Sequence, residues 1–197
     1  MNYENFKIRA SASGKIATNP RAKTETLSET TKTYLKEALA EYLFGYKNEH
    51  SNKYTERGIA SEDLAIDNAI KWLDLPFVLK NEKNFSDDFF TGTPDIIVDG
   101  VVYDIKCSWS CFTFPFFETE LPNKDYLYQM QVYMHLTNCK KAKVVYCLLD
   151  NEEINHFYKV EDNKRYKVFE IDYDEKIIEK LIERVKESRE YLKLINK

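Results

Sequence analysis

Apolar positions recur along the chain at two spacings, one helical and one strand-like, and their order sets the expected architecture. Residues 25–46 have the helical spacing and stop near Gly45. A polar loop from Lys47 to Lys53 follows, and then a second helix over residues 56–73, closed by Pro76. Apolar runs at 77–85, 89–98 and 101–108 read as strands, with Asp99-Gly100 between the last two. A stretch rich in aromatics and prolines, 109–122, leads to a helix capped by Asn123 and running to about residue 136. Beyond it the pattern predicts an apolar strand at 142–149, two short strands between His156 and Tyr173, and a charged closing helix over 174–195. Helices and strand-rich stretches in this order predict an α/β fold, a central sheet flanked by helices.

The 197 residues suffice for one domain with a real core, so residues 1–197 are expected to form a single unit with a basic N-terminal arm, 1–24. Composition is that of a globular protein, 43% apolar and 31% charged, with no internal repeat. No apolar run reaches the roughly 18 residues of a membrane span, and Met1-Asn2-Tyr3-Glu4 lacks the layout of a signal peptide. A cytoplasmic protein is therefore expected, with Cys107, Cys111, Cys139 and Cys147 as reduced thiols. The net charge of −4 argues against a general basic nucleic-acid binder. Its distribution changes that picture: between Asn5 and Thr24 stand Lys7, Arg9, Lys15, Arg21 and Lys23 with no acidic residue, interspersed with Ser11, Ser13 and Thr18. Such a stretch is either a solvated terminus or a phosphate-binding one.

The hairpin carries the main chemical argument. Asp-Gly between apolar runs signals a two-residue type I′ turn, so Val98 should face Val101, Ile97 face Val102 and Ile96 face Tyr103. Asp95 then faces Asp104. Two carboxylates on opposed Cβ atoms repel, and a divalent cation held by both is the simplest compensation, because Mg²⁺ selects oxygen ligands. Period-two alternation puts Lys106 on the same face as Asp104. The second helix adds Glu62, which heads the stripe Ala65, Ile66, Ala69, Ile70, Leu73. A carboxylate there needs either a salt bridge or the metal; beside the paired aspartates the metal is favoured. In the helix after Asn123, the residues Tyr126, Gln129, Met130 and Tyr133 share a face. It is either a core face whose tyrosines find hydrogen-bond partners, or one that presents Gln129 to water or phosphate beside the hairpin.

Thr93-Pro94-Asp95 followed by Asp104-Ile105-Lys106 resembles the signature of the PD-(D/E)XK nucleases. Upstream Gly58-Ile59-Ala60-Ser61-Glu62 and downstream Tyr126-Leu127-Tyr128-Gln129-Met130-Gln131 are similar to the branch that holds phage lambda exonuclease, RecB and Cas4. The resemblance runs from about Arg9 to Met134 and is nearest to lambda-type phage exonucleases. It implies an α+β restriction-endonuclease-like core, a central mixed sheet with a catalytic hairpin. It also implies a Mg²⁺- or Mn²⁺-dependent deoxyribonuclease in which Asp95, Asp104, the Ile105 carbonyl and Glu62 hold metal. Lys106 and Gln129 would act on water or phosphate, with Tyr126 and Tyr133 in support. Ser11, Ser13 and Thr93 sit where the family places hydroxyls near a 5′-phosphate, and Arg9 and Lys15 would add charge. Two positions depart from the family: Asp104 stands where Glu is commoner, and Arg9 lies closer to Ser13 than the phosphate-binding arginine does, without the usual Gly between them.

The activity implied is 5′–3′ resection of linear duplex DNA in phage-type recombination, beside a single-strand annealing protein and as a homo-oligomer such as a ring trimer. The alternatives are a RecB- or Cas4-like single-strand nuclease, an endonuclease on the same core, and a non-catalytic nucleic-acid-binding module. Cas4- and AddB-type nucleases hold an iron–sulfur cluster with one cysteine upstream of the motifs and three near the C-terminus; this chain has none before Cys107 and none after Cys147, so no cluster is expected. His50, His135 and His156 form no zinc pattern. The aromatic stretch 109–117 reads as core or protomer interface ahead of a wedge against DNA ends, since five aromatics in nine residues normally bury.

Overall fold

The computed structural model describes residues 3–46, 53–108, 110–150 and 160–196, with the side chains of 53–60 left aside. Expectations on His50, Trp109 and His156 lie outside the described residues. A short strand β1 (Ile8–Arg9) and a 3-10 turn (Ala10–Ala12) lead into helix α1 (Ser13–Ala17). Helix α2 (Glu29–Phe44) starts at Ser28, whose hydroxyl accepts from the Thr31 amide, and ends at Gly45 in the left-handed conformation. Helix α3 (Lys53–Trp72) is followed by β2 (Phe85–Ser86), β3 (Phe90–Gly92), β4 (Ile96–Val98) and β5 (Val101–Cys107). Helix α4 (Lys124–Thr137), β6 (Lys141–Cys147), β7 (Tyr166–Asp172) and α5 (Glu175–Ile195) complete the order.

The strands form two mixed sheets, one ordered β1-β3-β2 and the other β4-β5-β6-β7. Both Asp99 and Gly100 have positive φ, as a type I′ turn demands, and the β4–β5 register is Ile96 to Tyr103, Ile97 to Val102 and Val98 to Val101. β5 and β6 run parallel because α4 crosses between them, and β7 returns antiparallel to β6. Alternation along the strands then divides the core into two layers. Ile96, Tyr103, Ile105, Val145 and Cys147 pack with Ala65, Ile66 and Ala69 of α3. On the opposite face Val102, Ala142, Val144 and Ile171 pack with Met130 and Met134 of α4 and Ile178, Leu181 and Val185 of α5. No helix of the described residues is long and apolar enough to cross a membrane.

Three expectations are corrected. Residues 77–84 form no strand: Phe77 is 96% exposed, and no ladder forms before Phe85. The run 89–98 is two strands in two sheets, broken at Thr93-Pro94-Asp95, since Pro94 has no amide to continue a ladder. The N-terminal stretch is not a free arm over residues 8–17: Ile8, Ala10, Ala12, Ile16 and Ala17 are buried against α4 and its neighbours. Its apolar residues are small and closely spaced, so no period marks them in the sequence.

Candidate active site

The end of the hairpin away from its turn builds the site. Continuing the register one step beyond Ile96 and Tyr103 sets Asp95 opposite Asp104. Asp104 is 2% exposed, on the α4 face of β5. Its Oδ2 lies 2.7 Å from the Lys106 ammonium. Its Oδ1 accepts from Gln129 Nε2 at 3.0 Å. The same Gln129 amide donates to the Tyr133 hydroxyl at 3.1 Å, and that hydroxyl donates to the Thr93 carbonyl at 3.1 Å. One chain of hydrogen bonds thus ties β5 to α4 and back to the residue before Pro94. Tyr133 fits because Gly92 has no side chain: a Cβ there would stand 2.6 Å from the Tyr133 ring and 2.9 Å from Ala10 Cβ. The Lys106 ammonium lies 4.8 Å from the centre of the Tyr126 ring, a cation–π contact that confines it.

Asp95 is fixed by its backbone neighbours. Its Oδ2 accepts from the Ile105 amide at 2.6 Å. Within a strand, the N–H and C=O of one residue point to the same edge, so the Ile105 carbonyl also lies on the Asp95 side. Asn81 holds the segment from outside, donating its amide to the Asp95 carbonyl at 2.7 Å and its side chain to the Pro94 carbonyl at 2.8 Å. Burial pushes the Asp95 carboxyl up to about 7, with the Asp104 charge adding to it and the Ile105 amide opposing it. Burial likewise raises Asp104, against the pull of Lys106. Burial alone would lower Lys106, but the Asp104 carboxylate outweighs it and holds the ammonium protonated well above its usual range.

Such a pair fits a divalent cation. The Asp104 charge opposes ionisation of part-buried Asp95, and Asp104 Oδ2, despite its ion contact with Lys106, has no well-directed hydrogen bond. Glu62 stands close enough to raise both aspartates, yet its carboxylate pairs with Lys80 at 2.8 Å, the salt bridge the sequence left open. Among the described residues no three acidic, histidine or cysteine side chains converge as a finished metal cage. The arrangement is two central carboxylates with a third held in reserve by a lysine.

The N-terminal residues lie beside this site. β1 pairs parallel with β3, Arg9 opposite Thr91, so Arg9-Ala10-Ser11 runs alongside Thr91-Gly92-Thr93 on the way to Asp95. Arg9, Ser11, Lys15 and Thr93 are exposed. Ser13 is fully buried, and its hydroxyl donates to the Ala10 carbonyl at 2.6 Å, so its proton is committed inside the turn. Asn84 organises the strand end, donating to the Thr93 hydroxyl at 3.1 Å and accepting from that of Thr91 at 3.0 Å. Lys80, Asn81 and Asn84 were not among the expected site residues. They sit in an irregular segment, and no periodicity points at them.

No protein-family model matches the chain, and no curated protein sequence does. Solved structures do. A phage-related exonuclease of Haemophilus somnus 129PT superposes with a TM-score of 0.84 at 29% identity, over 99% of this chain and 97% of that one. An alkaline exonuclease of Laribacter hongkongensis shares the fold, with a TM-score of 0.73 at 19% identity over 97% of this chain and 90% of that one. Its complex with dAMP gives 0.72 at 22%, over 95% and 88%. Paired aspartates on a hairpin, a lysine two residues on and a glutamine from the crossover helix, in this fold, define a PD-(D/E)XK nuclease-like protein. The likeness to a phage-related exonuclease over nearly the whole chain bears out the resemblance read from its motifs.

Proposed function

We propose that the chain is a metal-dependent DNA exonuclease that hydrolyses phosphodiester bonds from the 5′ ends of linear duplex DNA. The observation that carries this reading is the opposed pair of part-buried Asp95 and buried Asp104, with Lys106 and Gln129 both committed to Asp104. Asp95, Asp104, the Ile105 carbonyl and Glu62 would hold Mg²⁺ or Mn²⁺, Glu62 after exchanging Lys80 for the ion. A divalent ion in such a site supplies positive charge to the scissile phosphate and acidity to the attacking water.

The protein's own groups do the rest. Lys106, kept protonated beside Asp104, donates to phosphate oxygens as negative charge grows on them. Gln129 fixes the Asp104 carboxylate, and Tyr133 fixes Gln129. Tyr126 limits where the ammonium can go. Arg9, Ser11, Lys15 and Thr93 would receive the 5′-phosphate, with Ser13 shaping the turn that presents them. A metal ion held by these carboxylates, rather than a basic surface, would supply much of the positive charge at the scissile phosphate, which reconciles the net charge of −4 with a DNA substrate. The same reading places the enzyme in the cytoplasm of a bacterial or phage-infected cell, as a homo-oligomer such as a ring trimer, working beside a single-strand annealing protein.

The test uses three matched substrates with Mg²⁺ or EDTA: a linear duplex with 5′-phosphate, the same duplex with 5′-hydroxyl, and a closed circle. Metal-dependent loss of the 5′-phosphorylated linear duplex alone is expected. Cutting of the circle would replace the exonuclease with an endonuclease. No cleavage of any substrate would leave a binding module.

A further inference from the structure

The stretch after the catalytic strand does not bury as its composition predicts. Phe114 is 7% exposed and packs with Leu148, Tyr146 and Val160. Phe112 and Phe117 are 95% and 90% exposed, and Phe116 39%. The exposed rings are held out by built structure. Thr113 closes a turn on Ser110: its amide donates to the Ser110 carbonyl at 3.1 Å, and its hydroxyl accepts from the Ser110 amide at 3.0 Å. Phe112 therefore sits at the third position of a hydrogen-bonded turn. The Phe116 amide donates to the Phe114 carbonyl at 2.8 Å, and the Phe116 ring meets Phe117 edge-on at 5.2 Å.

A continuous path of rings joins this loop to the site. Phe117 touches Phe116, Phe116 lies 6.2 Å from Phe114, and Phe114 packs on Tyr146. Tyr146 is 6.3 Å from Tyr126, whose ring lies under the Lys106 ammonium. Along the chain the distance is equally short, since Phe112 follows Lys106 by only six residues of sequence.

We infer that Phe112 and Phe117 are stacking platforms for unpaired bases of a DNA end, and this rests on the nuclease reading above. Two features favour bases over a second protein surface. Two aromatic side chains offer roughly 300–500 Å² of contact, about half of the ~800 Å² that a stable protein partner covers on each side. The rings lead through Phe114, Tyr146 and Tyr126 to the Lys106 ammonium, so whatever covers them lies beside the strand held in the site. Stacking on an aromatic face needs no sequence match, which suits an enzyme that must process any end. The rings would hold the first bases freed as the terminal pairs open, keeping the other strand in the site from re-annealing.

The test compares the full-length protein with the double substitution Phe112→Ala, Phe117→Ala. The first probe is a single-stranded oligonucleotide carrying 2-aminopurine, mixed with protein in EDTA so that no cleavage intervenes. Wild type should change the 2-aminopurine emission, and the double variant should lose at least four-fifths of that change. The second probe is hydrolysis with Mg²⁺: the variant should slow about tenfold on a fully paired end, and come within threefold of wild type on an end with several mismatched pairs. Phe112→Trp with Phe117→Trp should restore both signals. Sedimentation should give the same oligomeric size for all three proteins. An unchanged emission response, equal slowing on paired and mismatched ends, or a change of oligomeric size would each overturn the inference, the last by making the loop a subunit contact. If wild type cleaves nothing yet the emission change depends on the two rings, the nuclease reading fails and the stacking surface stands.

Discussion

Strand β5 has two faces, and one step along the chain changes their chemistry completely. Tyr103, Ile105 and Cys107 look into the apolar layer under α3, while Val102, Asp104 and Lys106 look toward α4. On the α3 face neighbours are interchangeable in kind: Ala65, Ile66, Ala69, Val145 and Cys147 fill space. On the α4 face the polar side chains are linked in series, from Lys106 through Asp104 and Gln129 to Tyr133 and the Thr93 carbonyl. A buried polar network in a small core is expensive, since leaving one member unsatisfied costs about 1–3 kcal/mol. The α3 face therefore carries stability, and the α4 face carries chemistry at some expense of it.

The deepest cut between the two faces comes from one substitution on each. Lys106→Ala should lower cleavage by about 10²–10⁴-fold, the usual effect of losing a group that stabilises or relays charge. It should leave Mn²⁺ binding, read by calorimetry, largely intact. Ile66→Ala should cost about 2–5 kcal/mol of stability, as buried large-to-small changes do, with kcat within threefold of wild type below its melting point. If folded Ile66→Ala loses as much activity as Lys106→Ala, or Lys106→Ala keeps full activity, the division of labour is wrong.

The same contrast explains what could be read in the sequence. The hairpin was legible because its information is local: Asp99-Gly100 fixes the turn, the turn fixes the register, and the register sets Asp95 against Asp104. The four longer helices were legible within a few residues: Asn123 caps α4 as read, and Asp174, read as the start of the last helix, caps α5; short α1 was not read. The supports of the site were not. Lys80, Asn81 and Asn84 act through hydrogen bonds and an ion pair to residues 7 to 18 positions away, from a segment with no pattern. Pro94 was visible, but not that it moves the chain from one sheet to the other. Exposed Phe112 and Phe117 run against the rule that aromatics bury, and composition alone reads them as core or interface.

A smaller effect sharpens the comparison through pH. Asp95, pushed up to about 7 by burial, keeps a proton in the native state that the unfolded chain releases near its ordinary value of 3.8. The native state therefore binds more protons between about pH 4 and 7, so stability falls as pH rises through that window. Exposed carboxylates held low by lysines, such as Glu29, Glu161 and Glu170, act in the opposite sense and only at more acidic pH. The metal-free protein should lose about 3–10 °C in Tm between pH 5 and 7.5, taking 1–3 kcal/mol as the linked free energy. Asp95→Asn should flatten that slope, and Mg²⁺ or Mn²⁺ should reverse it in wild type at pH 7.5. A metal-free Tm that rises over the range would mean that the pair is already charged and compensated without an ion.

The least perturbing test asks whether the apolar face is only filler. Cys107 and Cys147 are register partners on β5 and β6, and their thiols point at α3: Cys107 Sγ lies 3.7 Å from the Ser61 carbonyl and Cys147 Sγ 3.8 Å from that of Ala65. Those two carbonyls are one helical turn apart and bracket Glu62, so the pair seats the middle turn of α3, which carries the third carboxylate. Burial pushes the Cys147 thiol up, which keeps it a neutral donor. Replacing Cys147 by Ala should cost about 1 kcal/mol or less in stability, from a small cavity and a weak hydrogen bond. If α3 positions Glu62 for the ion, the Mn²⁺ concentration for half-maximal activity should rise two- to threefold while kcat at saturating Mn²⁺ stays within twofold. Cys147→Ser, which keeps a donor, should recover the lower Mn²⁺ requirement. A Tm loss with no change in Mn²⁺ requirement would confine both thiols to packing, and Glu62 would then owe its position to Lys80 alone.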